Sequence, residues 1–173
     1  MSTEHQFSQS AGPGRTVRRY DGRSAQKFTT AVAGLIYRNL AEGDDRARLV
    51  GGFARPVGIY EPVSGESCTV KFDKAGATVY NGIAGRPSVI LGFERAGLRK
   101  LPALEVRWWT TPSSILLGRY GRMLLGGVLT RKTFRAHRAL LHPLVAARFL
   151  AMLAPPVPYT ALDDAATPTE QAA

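Results

Sequence analysis

Apolar residues recur along this chain at two different periods. Phe28, Val32, Leu35, Ile36 and Leu40 fall on one face of a 3.6-residue repeat, which predicts an amphipathic helix. Ser24 stands ahead of it as an N-cap residue, and Glu42–Gly43 closes it. A shorter helical turn is expected through Arg46–Phe53, weakened by the Gly51–Gly52 pair. The period then changes to two. Cys68, Val70 and Phe72 alternate with Thr69, Lys71 and Asp73, the pattern of a strand with one face buried. "DKAG" (73–76) carries hairpin chemistry, with Gly76 suited to positive φ, and "ATVYNG" returns as the next strand. "VGIYEPV" (57–63) reads as a strand interrupted by Pro62. "PSVILGF" (87–93) reads as a strand covered on both faces, and "LEVRWWT" (104–110) alternates again.

Toward the C-terminus, Thr111 or Ser113 can cap a short helix that starts at Pro112 and runs through Ile115, Leu116 and Leu117. "GVLTRKTF" (127–134) predicts a last strand, followed by a closing helix of Leu140, Leu141, Leu144, Val145, Phe149, Met152 and Leu153. Pro143 either kinks that helix or begins a second one, and Pro155–Pro156 stops it. The order is helix, β-meander, crossover, strand, helix. It predicts an α+β fold: a single mixed β-sheet of about five strands with helices packed on one face.

Length fits one domain with a real core, since the chain has 173 residues. Residues 1–22 are polar and contain Arg15, Arg18 and Arg19, which predicts a mobile basic arm; 23–154 form the domain; 155–173, rich in Pro, Ala, Thr and Asp, form a flexible tail. One cysteine, Cys68, cannot make an internal disulfide, and the first residues have no apolar core of a secretory signal. Both point to a cytoplasmic protein.

Charge changes the picture more than composition does. The formal net charge is +10, and no acidic residue falls between Glu105 and Asp163. The stretch 118–143, "GRYGRMLLGGVLTRKTFRAHRALLHP", is apolar and basic together. Such a segment is attracted to an anionic partner: phospholipid, nucleic acid or a phosphorylated ligand.

Familiar catalytic chemistry is missing. The sequence holds no GxSxG, HExxH, P-loop or GxGxxG motif. His137 and His142 are five apart, the wrong spacing for metal ligands on one helix face. Glu61, Glu66, Asp73, Glu94 and Glu105 lie along the strand region, and nothing in their spacing makes two of them converge. The sequence therefore asks for no cofactor and no metal. What it has instead is large apolar side chains, with Trp108 and Trp109 on opposite faces of one predicted strand.

The meander "SCTVKFDKAGATVYNG", then "LLGRYGRMLLGGVLTRKTF" and the apolar "ALLHPLVAARFLAML", together resemble the sterol carrier protein type 2-like family of lipid-binding domains. Gly118, Gly126, Gly127 and Val128 occupy places similar to that family's glycine-rich helix and following strand. "ERAGLRKLPA" (94–103) departs from it, and leaves open whether 87–93 or 104–110 matches the family's fourth strand. The resemblance implies a five-stranded sheet with an apolar tunnel for an acyl chain or sterol. It would be walled by Val70, Phe72, Val79, Ile90, Phe93, Val106, Trp108, Leu141, Leu144 and Phe149.

A carrier must also meet a membrane and leave it. Arg119, Arg122, Arg131, Lys132, Arg135 and Arg138 are the expected peripheral dock on anionic lipid, or the grip on the phosphates of an acyl-CoA-like ligand. The expectation is non-catalytic binding and transfer of a lipid or sterol-like molecule. The alternatives are a nucleic-acid-binding basic domain, although no recognition helix or RNP-type strand is legible, and an enzyme using the same cavity.

Overall fold

The alternation in 67–73 becomes the centre of a seven-stranded mixed sheet in the computed structural model. The structure describes residues 6–11, 16–20, 26–41, 44–99, 101, 103–106, 110–118, 122, 134–137 and 142–155. The strands are β1 (Gln6–Ser10), β2 (Thr16–Tyr20), β3 (Val57–Tyr60), β4 (Ser67–Asp73), β5 (Gly76–Asn81), β6 (Val89–Phe93) and β7 (Phe134–His137), in spatial order β1-β2-β5-β4-β3-β6-β7. The β2–β5 and β3–β6 pairs are parallel and the others antiparallel. The described helices are α1 (Lys27–Ala41), α2 (Asp44–Val50), α3 (Arg95–Arg99), α4 (Pro112–Leu117) and α5 (Pro143–Leu153).

Register sorts every strand residue onto one of two faces. Val70 pairs with Val57 and Val79, Cys68 with Ile59 and Asn81, and Phe72 with Ala77. Val89, Leu91 and Phe93 join them across the parallel β3–β6 ladder. This is the face that α1 and α5 cover. Its apolar residues are almost wholly buried, together with Phe28, Val32, Ile36 and Leu40 of α1 and Phe149, Leu150, Met152 and Leu153 of α5. Burying each such side chain stabilises the fold by about 1.5–3 kcal/mol.

Two sequence expectations change, one falls mostly outside the described residues, and one open alternative is decided. The sheet has seven strands rather than about five, and the first two come from the segment expected to be a mobile arm. The cause is the edge that β5 would otherwise leave open. β2 pairs along all five of its residues with β5, Val17 is buried against the core, and Arg19 reaches Thr30 Oγ1 of α1 at 2.9 Å. Residues 104–106 are not a strand: the Leu104 N–H donates to Pro155 O at 2.8 Å and its carbonyl accepts from Arg46. Those backbone groups are thus taken from any ladder, and 89–93 is the strand that enters the sheet. The predicted strand 127–134 meets β7 only at Phe134, with 127–133 outside the described residues. Lastly, Pro143 starts a helix rather than kinking one.

Other local readings match the structure. Thr111 caps α4 in a reciprocal box with Ser114, whose backbone N–H it accepts at 3.3 Å. Gly76 sits at φ 134°. A Cβ there would also strike the backbone carbonyl of Thr16, so Gly76 is what lets β2 lie against β5.

Candidate functional site

Two buried polar nodes hold the helices on the sheet. Glu66 Oε2 accepts the Phe28 N–H at 2.7 Å, which satisfies an orphan donor in the first turn of α1. Glu61, 6 % exposed, accepts the Arg95 N–H at 2.9 Å at the start of α3 and the Ser64 hydroxyl at 2.6 Å. Arg95 Nη2 lies 3.3 Å from Glu61 and 3.4 Å from Glu66. Two carboxylates of the strand region therefore do converge, against the sequence expectation. They converge on a guanidinium and two helix starts, which leaves neither as a free general base.

The second node carries a charge into the core. Arg46 of α2 is 4 % exposed. Its Nη1 donates to Ala151 O at 2.7 Å and to Ala154 O, and its Nη2 donates to Leu104 O at 2.6 Å. Asn39 Nδ2 donates to Met152 O at 2.7 Å and Ala154 O at 3.1 Å. Together they satisfy the carbonyls at the C-terminal end of α5, where the helix dipole favours a cation.

Next to this node opens a cleft of about 600 Å³, lined by Ala47, Arg48, Val50, Gly51, Phe53, Phe72, Asp73 and Lys74. It lies where α2 ends above the β4–β5 turn. Its floor is aromatic. Phe53 and Phe72 stack at 4.3 Å between ring centroids, and Phe149 of α5 meets them edge-on at 6.3 and 6.1 Å. Its mouth is ionic: Arg48 pairs with Asp45 at 3.7 Å across exposed side chains, Lys74 is exposed, and Asp73 Oδ1 takes the Ala75 N–H at 2.8 Å. Arg148 of α5 donates to Gly52 O at 2.8 Å, just beyond the end of α2.

The predicted cavity residues divide. Phe72 lines the cleft. Val70, Val79, Phe93, Val106 and Phe149 lie in the buried core. Ile90 is on the opposite face of the sheet, where it registers with Gly58. Leu144 is 45 % exposed at the start of α5. Trp108 and Leu141 lie outside the described residues. Of the predicted docking cations, Arg122 is exposed and Arg135 registers with Gly92 at the β7 edge, whereas Arg119, Arg131, Lys132 and Arg138 lie outside the described residues. Arg48, Phe53 and Lys74 were not among the expected site residues. The one sequence signal for them is the Gly51–Gly52 break, which turns Phe53 back toward Phe72.

Cys68 is fully buried, and burial pushes its thiol up to about 12. It is no nucleophile at neutral pH. Among the described residues no group of three His, Cys, Asp or Glu side chains is placed to hold a metal ion, and no helix is long and apolar enough to cross a membrane.

No protein-family model and no curated protein matches the chain. A solved structure described as "UbiJ-SCP2 Ubiquinone synthesis protein" is similar to it at 15% sequence identity and a TM-score of 0.44, over 73% of this chain and 84% of that one.

Proposed function

We propose that this protein binds an apolar molecule with an anionic end and carries it, without chemical change, as a cytoplasmic protein that visits membranes. The observation that supports the reading is the cleft itself: a stacked Phe53–Phe72 floor beneath a mouth bearing Arg48 and Lys74. Clefts of about 300–1,000 Å³ with apolar linings and a few placed polar groups are where small molecules bind. An acyl chain or ring system lies on the aromatic floor, and a carboxylate or phosphate meets the cations at the rim. A fatty acid or acyl-CoA-like molecule fits that pairing better than an uncharged sterol.

Titration with a fluorescent fatty acid and with its methyl ester tests this. The wild type takes up both, the acid more tightly. Arg48→Glu with Lys74→Glu lowers affinity for the acid by roughly tenfold or more, the worth of a charge-assisted contact, and leaves the ester unchanged. Failure of the wild type to take up either probe removes the carrier reading.

A further inference from the structure

The face of the sheet away from α1 and α5 is divided in two. Over β3 and β6 it is covered by the connection 82–88, which runs from the end of β5 to the start of β6. Thr69 fastens that connection: its hydroxyl donates to Gly82 O at 2.8 Å and accepts the Ala84 N–H at 2.8 Å. Ile83, Ile90 and Pro87 gather over Gly58, where a Cβ would come within 3.1, 3.2 and 3.6 Å of them. Ile83 nevertheless stays 44 % exposed. Beside this apolar patch, over β2, β5 and β4, the described face turns its long cations to solvent, with Thr69 and Thr78 buried among their neighbours. Arg18 and Lys71 both register with Thr78 and point to solvent on either side of it. Arg86, between Ile83 and Pro87 on the covering connection, is exposed as well. The one described carboxylate on this part of the face, Asp73, is engaged by the Ala75 N–H in the hairpin turn.

We infer that this outer sheet face, with Arg18 and Lys71 on its strands and Arg86 on the connection that carries Ile83, docks on an anionic phospholipid surface. The inference rests on the carrier reading and goes beyond it, because it moves the dock from the segment 118–143 to the sheet. Three exposed cations complement lipid phosphates and serine carboxylates, and a half-exposed aliphatic residue among them is the element that a bilayer interface takes up. Single-stranded nucleic acid would instead need an exposed aromatic for a base to stack on. Of the described tyrosines on this face, Tyr60 has its ring on Gly92, with Cζ 2.7 Å from where a Cβ would stand, and Tyr80, in register with Thr69, is half-buried.

Sedimentation with vesicles of phosphatidylserine and phosphatidylcholine in about equal parts tests the dock, since each cation near an anionic surface strengthens partitioning about fivefold. The variant Arg18→Glu, Lys71→Glu, Arg86→Glu is compared with Lys27→Glu, Arg55→Glu, Arg122→Glu, which removes equal charge from exposed positions elsewhere. The first lowers partitioning on the order of a hundredfold, the second much less, and both keep wild-type thermal melts and wild-type uptake of the fluorescent acid. Ile83→Ser lowers partitioning further at high salt, where the charges are screened. Equal losses in the two triple variants overturn the dock and leave only net charge. Wild-type protein that stays off the vesicles overturns it too. So does a single-stranded oligonucleotide bound by the wild type, lost in the first variant and unmatched by any vesicle binding. If vesicles bind through this face but no fatty-acid probe is taken up, the dock stands and the carrier reading falls.

Discussion

Val70 and Lys71 are neighbours in one strand and have opposite fates. Val70 is 0 % exposed beneath the helices, whereas Lys71 stands in solvent on the outer face. The same contrast runs across the sheet. On the helix-covered face, Val57, Cys68, Val79 and Leu91 meet α1 and α5 in one continuous core. On the outer face the described residues are glycines at 58 and 92, a short connection and exposed cations. The helix face is closed by shape and by the polar nodes at helix ends. The outer face carries charge, which guards a flat surface against self-association. Among the described residues, the cleft lies at the rim, where α2 ends and the aromatic floor reaches the surface.

The strongest way to break this contrast is to unlock the helix face from within. Arg46→Met keeps much of the stem and removes the guanidinium, which takes the Arg46 donor from the carbonyls of Leu104 and Ala151 and leaves Ala154 O with Asn39. The expected loss in urea unfolding is about 2–5 kcal/mol, since each buried carbonyl left unpaired costs about 1–3 kcal/mol. A loss within about 0.5 kcal/mol, the size of an ordinary surface change, means that packing alone closes this face. A smaller effect is expected at the hairpin. Gly76→Ala forces a Cβ into left-handed backbone against Thr16, at a cost of about 1–3 kcal/mol. Limited proteolysis then cuts within β1 and β2 before the core unfolds. Cleavage that appears only with global unfolding means that β1 and β2 belong to the core cooperatively.

How far the sequence carries this contrast depends on the range of the forces involved. Alternation in 67–73, the Gly76 turn and the Thr111 cap are set by neighbours a few residues away, and they are legible. Face assignment is legible only when parity is respected: Ile90 and Phe93 are three apart in one strand and cannot share a face. The pairing of β2 with β5 was hidden because a single Val17 among polar residues gives no period, yet it is enough to anchor a strand whose ladder partner already exists. Arg46 was illegible for a different reason. Its partners are backbone carbonyls of α5 and Leu104, and no residue type announces a carbonyl. The cleft shares that difficulty, since Phe53, Phe72 and Phe149 come from α2's end, β4 and α5.

Cys68 gives the finest probe of how closed the helix face is. Its thiol is raised from 9.0 to about 12 by burial. Between those values the unfolded chain has released the proton and the folded chain still holds it. The folded state then binds more protons, so its stability falls as pH rises through the window from about 9 to 12 and is untouched below it. Wild type and Cys68→Ala are compared by urea unfolding at about pH 7 and about pH 10.5, where the lysines and tyrosines shared by both proteins cancel from the difference. The wild type should lose more stability between the two than the variant does, and a disulfide reagent should leave Cys68 unmodified in the native protein at neutral pH. Rapid modification of the folded protein, or a difference that does not move with pH, would mean that water reaches β4 beneath the helices, and the contrast between the two faces would have to be redrawn.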